Sequence, residues 1–129
     1  MAERLKGEKN IQHLFREGIQ TFVFPLKAVY FLQDVEQDKS SLQVGVSVSK
    51  RQFKRAVDRN KMKRRMREAV RKIGPKYEFG DRAMIRCMLI YCTGELLELK
   101  VLEKSLDRIL SRIHKTRHTE KSFFEKNEK

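Results

Sequence analysis

Between Lys50 and Lys72 the chain reads KRQFKRAVDRNKMKRRMREAVRK. It sets twelve lysines and arginines against only Asp58 and Glu68, a local charge of +10 out of a formal +13 for all 129 residues. Ammonium and guanidinium groups at this density do one kind of chemistry. They hold the oxygens of a polyanion and displace its counterions, which makes nucleic acid the leading partner and its binding steeply salt-dependent. Groups that could break bonds are sparse. His13, His114 and His118 are scattered, and no Ser/His/Asp order, phosphate loop or close carboxylate pair stands out. His114 and His118 stand at i, i+4 without an evident third metal ligand. Asp38, Asp58 and Asp81 are too far apart in sequence to suggest a two-metal nuclease cluster. The expectation is a polypeptide that binds, with no catalytic residue and no metal or cofactor of its own.

The basic strip must be held by an ordered element, and its spacing predicts a helix. At 100° per residue Met62, Met66, Ala69, Val70 and Ile73 fall on one side, the i, i+4, i+7, i+8, i+11 pattern of a buried stripe. Asn60, Arg64, Arg67 and Arg71 fall on roughly the opposite side, flanked by Lys61 and Lys63, so one face buries while the other meets phosphate. Gly74-Pro75 stops the helix, with glycine expected as a left-handed cap.

Around this helix the chain alternates helix and strand. Residues 8–17 read as a short helix with Ile11, Leu14 and Phe15 on one side and Gly18 as the stop. Residues 21–32, aromatic and β-branched, read as a strand interrupted by Pro25, its first part an edge or an extended approach. After a polar connection, Leu42, Val44, Val46 and Val48 alternate with polar or small residues, the mark of a half-buried strand. A strand over 81–91 and a helix over 95–115 follow, the latter carrying Leu99, Leu102, Leu106, Ile109, Leu110 and Ile113 at helical spacing. Residues 116–129 are charged, lack that pattern and are expected to be a disordered tail.

The length and the 40% hydrophobic content suit one modest core, giving a single domain over 1–115. No long apolar run or signal-like core is present, so a soluble, cytoplasmic protein without membrane association is expected. Cys87 and Cys92, five apart in a strand-like run, face opposite ways and read as unpaired thiols. The strand, helix, strand order is a crossover unit in one sheet of about four strands with helices packed on it.

One segment resembles a known family. Ala56, Val57, Asp58, Arg59, Asn60, Lys61, Met62, Lys63, Arg64, Arg65, Met66, Arg67, Glu68 is similar to the helix that marks the protein subunit of bacterial ribonuclease P, approximately Ala-Val-x-Arg-Asn-Arg-x-Lys-Arg-x-x-Arg-Glu. The departure is Lys61, which keeps the charge of the usual arginine but lacks its planar fork. Val44 to Arg51, Ile11 to Gly18 and Gly80-Asp81 resemble flanking family segments in the right order, so the likeness spans about residues 5–114. The resemblance implies an α/β (α+β) two-layer sandwich similar to a ribosomal protein domain. It also implies a left-handed βαβ crossover, where the general rule predicts a right-handed one. It implies the protein component of an endoribonuclease in which the RNA subunit holds the magnesium ions and cleaves. The polypeptide would bind that catalytic RNA and the 5′ leader of precursor tRNA, with no obligate protein partner evident.

On this sequence the RNA-binding candidates are Lys50, Arg51, Arg55, Arg59, Asn60, Lys61, Lys63, Arg64, Arg67 and Arg71. The leader-cleft candidates are Ile11, Phe15, Tyr30 and Ser47, aromatic or polar groups on which an extended strand could rest. Position alone gives Ile11 and Phe15 an ordinary core reading, and Tyr30 could simply fill a sheet face. Ser47, opposite the valines of its strand, is a cleft wall or plain surface. Two other classes fit the charge: a ribosome-associated RNA-binding protein, and a DNA-binding protein using the same helix in a major groove.

Overall fold

The computed structural model describes residues 2–5, 7–34, 41–77 and 83–127. Five strands form one mixed sheet: β1 (Ala2–Arg4), β2 (Ile19–Val23), β3 (Leu26–Asp34), β4 (Ser41–Ser47) and β5 (Ala83–Tyr91), in the order β1-β4-β5-β3-β2. β4 and β5 are parallel and adjacent, and the helix between them, α2 (Ala56–Ile73), makes the expected crossover unit. The other helices are α1 (Glu8–Glu17) and α3 (Leu99–Asn127).

Period-2 alternation divides the sheet into two faces. Leu26, Ala28 and Tyr30 of β3, Leu42 and Val44 of β4, and Ile85, Cys87, Leu89 and Tyr91 of β5 point into the main core. There they meet Met62, Met66, Ala69, Val70 and Ile73 of α2 and Leu102, Leu106, Ile109, Leu110 and Ile113 of α3. The five residues predicted for the buried stripe of α2 are those that bury. Each large apolar side chain among them contributes about 1.5–3 kcal/mol over leaving it exposed. That burial fixes the rotation of the helix and so the direction of its charges. On the other face a smaller cluster of Leu5, Leu14, Val29 and Met88, with Ile11, Phe31 and Ile90 against it, seats α1.

Three local readings are corrected and one strand is added, four changes in all. Residues 21–32 are not one strand: Phe24-Pro25, joined by a cis peptide, forms the turn of the antiparallel β2–β3 hairpin, and β2 is the edge strand. A three-residue β1 pairs in parallel with β4, a match too short to carry a sequence pattern. α3 begins at Leu99, not at 95, because Glu95 and Leu97 are held by Tyr91, whose hydroxyl donates to the Glu95 carbonyl and accepts from Leu97 N–H at 3.3 Å. Its helical backbone runs on to Asn127, beyond the last apolar repeat at Ile113, so its length does not follow the buried stripe. The fourth is Gly74, which is right-handed (φ −51°, ψ −47°) and opens a single 3-10 turn, Gly74–Lys76. Before a proline that conformation brings a Cβ against the ring, and glycine has none. Cys92 lies just past β5; both cysteines are unpaired thiols, and burial pushes Cys87 up to about 12. The polar connection over 35–40 and the expected strand start at Gly80-Asp81 lie outside the described residues.

Gly18 stops α1 by close approach and not by a left-handed turn: its backbone is extended (φ −76°, ψ 156°). A Cβ there would stand 2.3 Å from the Leu14 carbonyl oxygen and 2.8 Å from a Val29 methyl. Gly18→Ala is therefore expected to cost about 1–3 kcal/mol, as overpacking does, read as a lower urea midpoint at unchanged slope.

Candidate nucleic-acid interface

Because α2 buries its methionine stripe, its opposite side must face solvent. Arg55, Asn60, Lys61, Arg64, Arg67 and Arg71 are exposed there, Lys63 is half-buried at the flank, and Lys50 and Arg51 are exposed in the turn leading in. The side chains of Lys50, Arg51, Arg55, Asn60, Lys61, Lys63, Arg64 and Arg67 make no hydrogen bond or ion pair with another described residue. Such an array repels itself, and an external polyanion relieves it.

Lys54 is likewise exposed, its side chain without a partner among the described residues, whereas Arg59, Arg65, Arg71 and Lys72 are already engaged. Arg59 donates through Nη1 to the carbonyls of Phe53 and Lys54, both at 2.9 Å, tying the approach loop to the first turn of α2. Arg65 donates to the Leu97 carbonyl at 2.6 Å, pinning the segment before α3. Lys72 bridges Glu103 of α3 at 3.3 Å. Arg71 bonds Glu68 on the same helix, and that bond holds the Glu68 carboxyl below its usual range, so the pair is ionised and the cation partly neutralised. Asp58 is half-buried in the first turn, where a carboxylate suits the helix dipole. The formal +10 thus resolves into structural arginines and an outward-facing group without internal partners.

The leader-cleft candidates do not all come together. Ile11, half-buried, packs against the small cluster under α1, and Phe15 on the same helix is 48% exposed. Ser47 is half-buried on β4, on the face opposite its buried leucine and valines and so on the α1 side. Tyr30 does not join them. It is 3% exposed and points into the main core under α2 and α3, so its assignment to the cleft is corrected. Its neighbour Phe31 occupies the α1 face instead, with the His13 ring edge-on at 4.8 Å between centroids. Phe31 is in register with Arg86 of β5, and Arg86 with Gln43 of β4; Arg86 Nε donates to Gln43 Oε1 at 3.4 Å. An aromatic ring, a guanidinium and an amide therefore lie in one row across the sheet beside α1, groups suited to an unpaired nucleotide strand. Sequence reasoning missed Phe31, Arg86, Gln43 and His13. Alternation alone puts Tyr30 and Phe31 on opposite faces, but with both faces apolar it does not say which one meets α1.

No group of three or more histidine, cysteine, aspartate or glutamate side chains able to hold a metal occurs among the described residues. His114 lies against Tyr77, ring centroids 6.1 Å apart, while the side chain of His118, together with Asp38 and Asp81, is outside the described residues. No described helix is long and apolar enough to cross a membrane.

A mixed sheet backed by two helices, one presenting a cationic face without internal partners, defines the class: a small α+β domain with a surface suited to a polyanion. The Ribonuclease P family model matches residues 1–114. The ribonuclease P protein component of Porphyromonas gingivalis is 34% identical over 119 residues, covering 87% of this chain and 83% of that one. The component from Streptococcus mutans is 30% identical over 109 residues, 84% of each chain. In fold, the chain is similar to the Staphylococcus aureus RNase P protein (TM-score 0.67, 22% identity, 88% of this chain and 96% of that one). It is similar also to the RNase P protein of Thermotoga maritima (TM-score 0.66, 21% identity, 85% and 96%). The chain belongs to the ribonuclease P protein family.

Proposed function

We propose that this chain is the protein subunit of a cytoplasmic ribonuclease P that removes the 5′ leader from precursor tRNA. Residues 1–115 act as one RNA-binding domain and 116–129 as an appended segment. The exposed face of α2, with Lys50, Arg51 and Arg55, docks on the catalytic RNA. The α1 side of the sheet, with Ile11, Phe15, Phe31, Ser47 and Arg86, receives the single-stranded leader. Hydrolysis belongs to the RNA subunit, which holds the magnesium ions. The protein's part is electrostatic and positional: it lowers the repulsion between two RNAs and keeps the leader extended. The observation that carries this reading is the α2 face, where exposed cations and Asn60 have no internal partners.

The test is cleavage of a precursor tRNA by a bacterial ribonuclease P RNA at low magnesium, with and without the protein. Accurate 5′ maturation only in its presence is the expected result. Tight RNA binding without stimulation of a cognate RNA would move the function to a ribosome-associated role.

A further inference from the structure

A second set of cations lies on α3. Lys100, Lys104 and Arg108 are exposed at i, i+4, i+8, rising ~12 Å along the helix. None of the three makes a hydrogen bond or ion pair with another described residue. The acids of this stretch are used elsewhere: Glu103 bridges Lys72, and Asp107 accepts from the Tyr77 hydroxyl at 2.5 Å. These contacts, with that of Arg65 to Leu97, pair successive positions of α2 and the residues just after it with successive positions of α3 and the segment leading into it. The two helices therefore run side by side in the same direction, and their outward faces adjoin across the Lys72–Glu103 seam.

For α3 itself this charge is badly placed. Its first turn contains Lys100 and no acid, although the positive end of the helix dipole favours the reverse. Like charges at i, i+4 destabilise a helix further. Glu98, just ahead of the helix and accepting from Val101 N–H at 3.1 Å through its carbonyl, offsets part of the dipole cost; the repulsion within the stripe is what an external phosphate backbone relieves.

We propose that Lys100, Lys104 and Arg108 form a second phosphate-binding stripe. It extends the footprint of the catalytic RNA from α2 across the seam onto α3. This rests on the reading of α2 as the RNA-docking face. The experiment compares the full-length protein carrying Lys100→Gln, Lys104→Gln and Arg108→Gln with the parent and with Arg64→Gln, Arg67→Gln. Affinity for ribonuclease P RNA alone is measured across a salt series. The triple variant is expected to bind roughly tenfold or more weakly and to flatten the log–log salt slope by about 2–3, near 0.9 per lost phosphate contact. Its melting temperature stays the same or rises, and its preference for leader-bearing over leaderless precursor tRNA is unchanged. Parental affinity and slope in a folded triple variant would overturn the proposal. So would a loss seen only with leader-bearing substrate, which would assign the stripe to the leader. If the Arg64, Arg67 variant weakens binding while the α3 variant does not, this inference alone fails; if neither does, the docking role of α2 fails as well.

Discussion

Arg64→Ala together with Arg67→Ala is expected to weaken binding to the catalytic RNA by two orders of magnitude or more while leaving folding stability nearly unchanged. Both side chains are exposed and have no partner among the described residues, so their removal leaves no orphaned group behind. Surface changes of this kind stay within about 0.5 kcal/mol. A charged hydrogen bond contributes about 1.5–3 kcal/mol, and two such contacts correspond to at least a hundredfold in Kd. Arg65→Ala, one position away, should do the reverse. It strands the Leu97 carbonyl, costing about 1–3 kcal/mol of stability, with RNA affinity close to parental at temperatures where the variant is folded. Filter binding beside urea unfolding of the same preparations separates the two. A double variant that binds like the parent would refute the docking role of α2.

The largest effect on stability is expected at Tyr30. At 3% exposure, among the side chains of α2 and α3, its truncation to alanine should cost about 3–5 kcal/mol, the range for large aromatic to alanine changes in cores. That is a large fraction of the 5–15 kcal/mol available to a domain of ordinary stability. Phe15→Ala, on a residue half exposed, should cost less than about 1 kcal/mol. On the proposed reading it lowers affinity for leader-bearing precursor more than affinity for the catalytic RNA. Equal losses in both binding assays, matched by a loss of stability, would return Phe15 to a structural role.

The contrast between Tyr30 and Phe31 shows what was legible in the chain and what was not. α2 could be read almost to the residue because its two sides differ in kind, methionine and valine against arginine and asparagine. β4 was readable for the same reason, valines alternating with Gly45 and Ser47. β3 is covered on both faces, by the main core and by α1, so Ala28, Val29, Tyr30 and Phe31 are all apolar and the run carries no sign of which side is which. Pro25 was visible as a break, but choosing between an interruption and a turn needs the pairing of Val23 with Leu26, which only the folded sheet supplies. The division of the arginines was equally hidden. Arg65 and Arg64 are alike in type, and Leu97, which makes one of them structural, stands 32 residues away. The end of α3 was missed because its helical backbone outlasts the apolar repeat that announced it.

β5 is the last strand in the sequence and the central strand of the sheet, paired with β3 on one side and β4 on the other. During synthesis, which delivers the chain from its N-terminus, the basic segment therefore emerges well before the strand that completes the surface beneath it. Until Tyr91 has been made, the β2–β3 hairpin and β4 have no common neighbour, and the methionine stripe of α2 has only part of its floor. On this topology a nascent chain would expose its basic segment before the strand that anchors it exists, beside a ribosome that is itself largely RNA. A transcript truncated ahead of residue 83 would yield that species permanently, a strongly basic peptide able to attract RNA but without the scaffold that aims its charges.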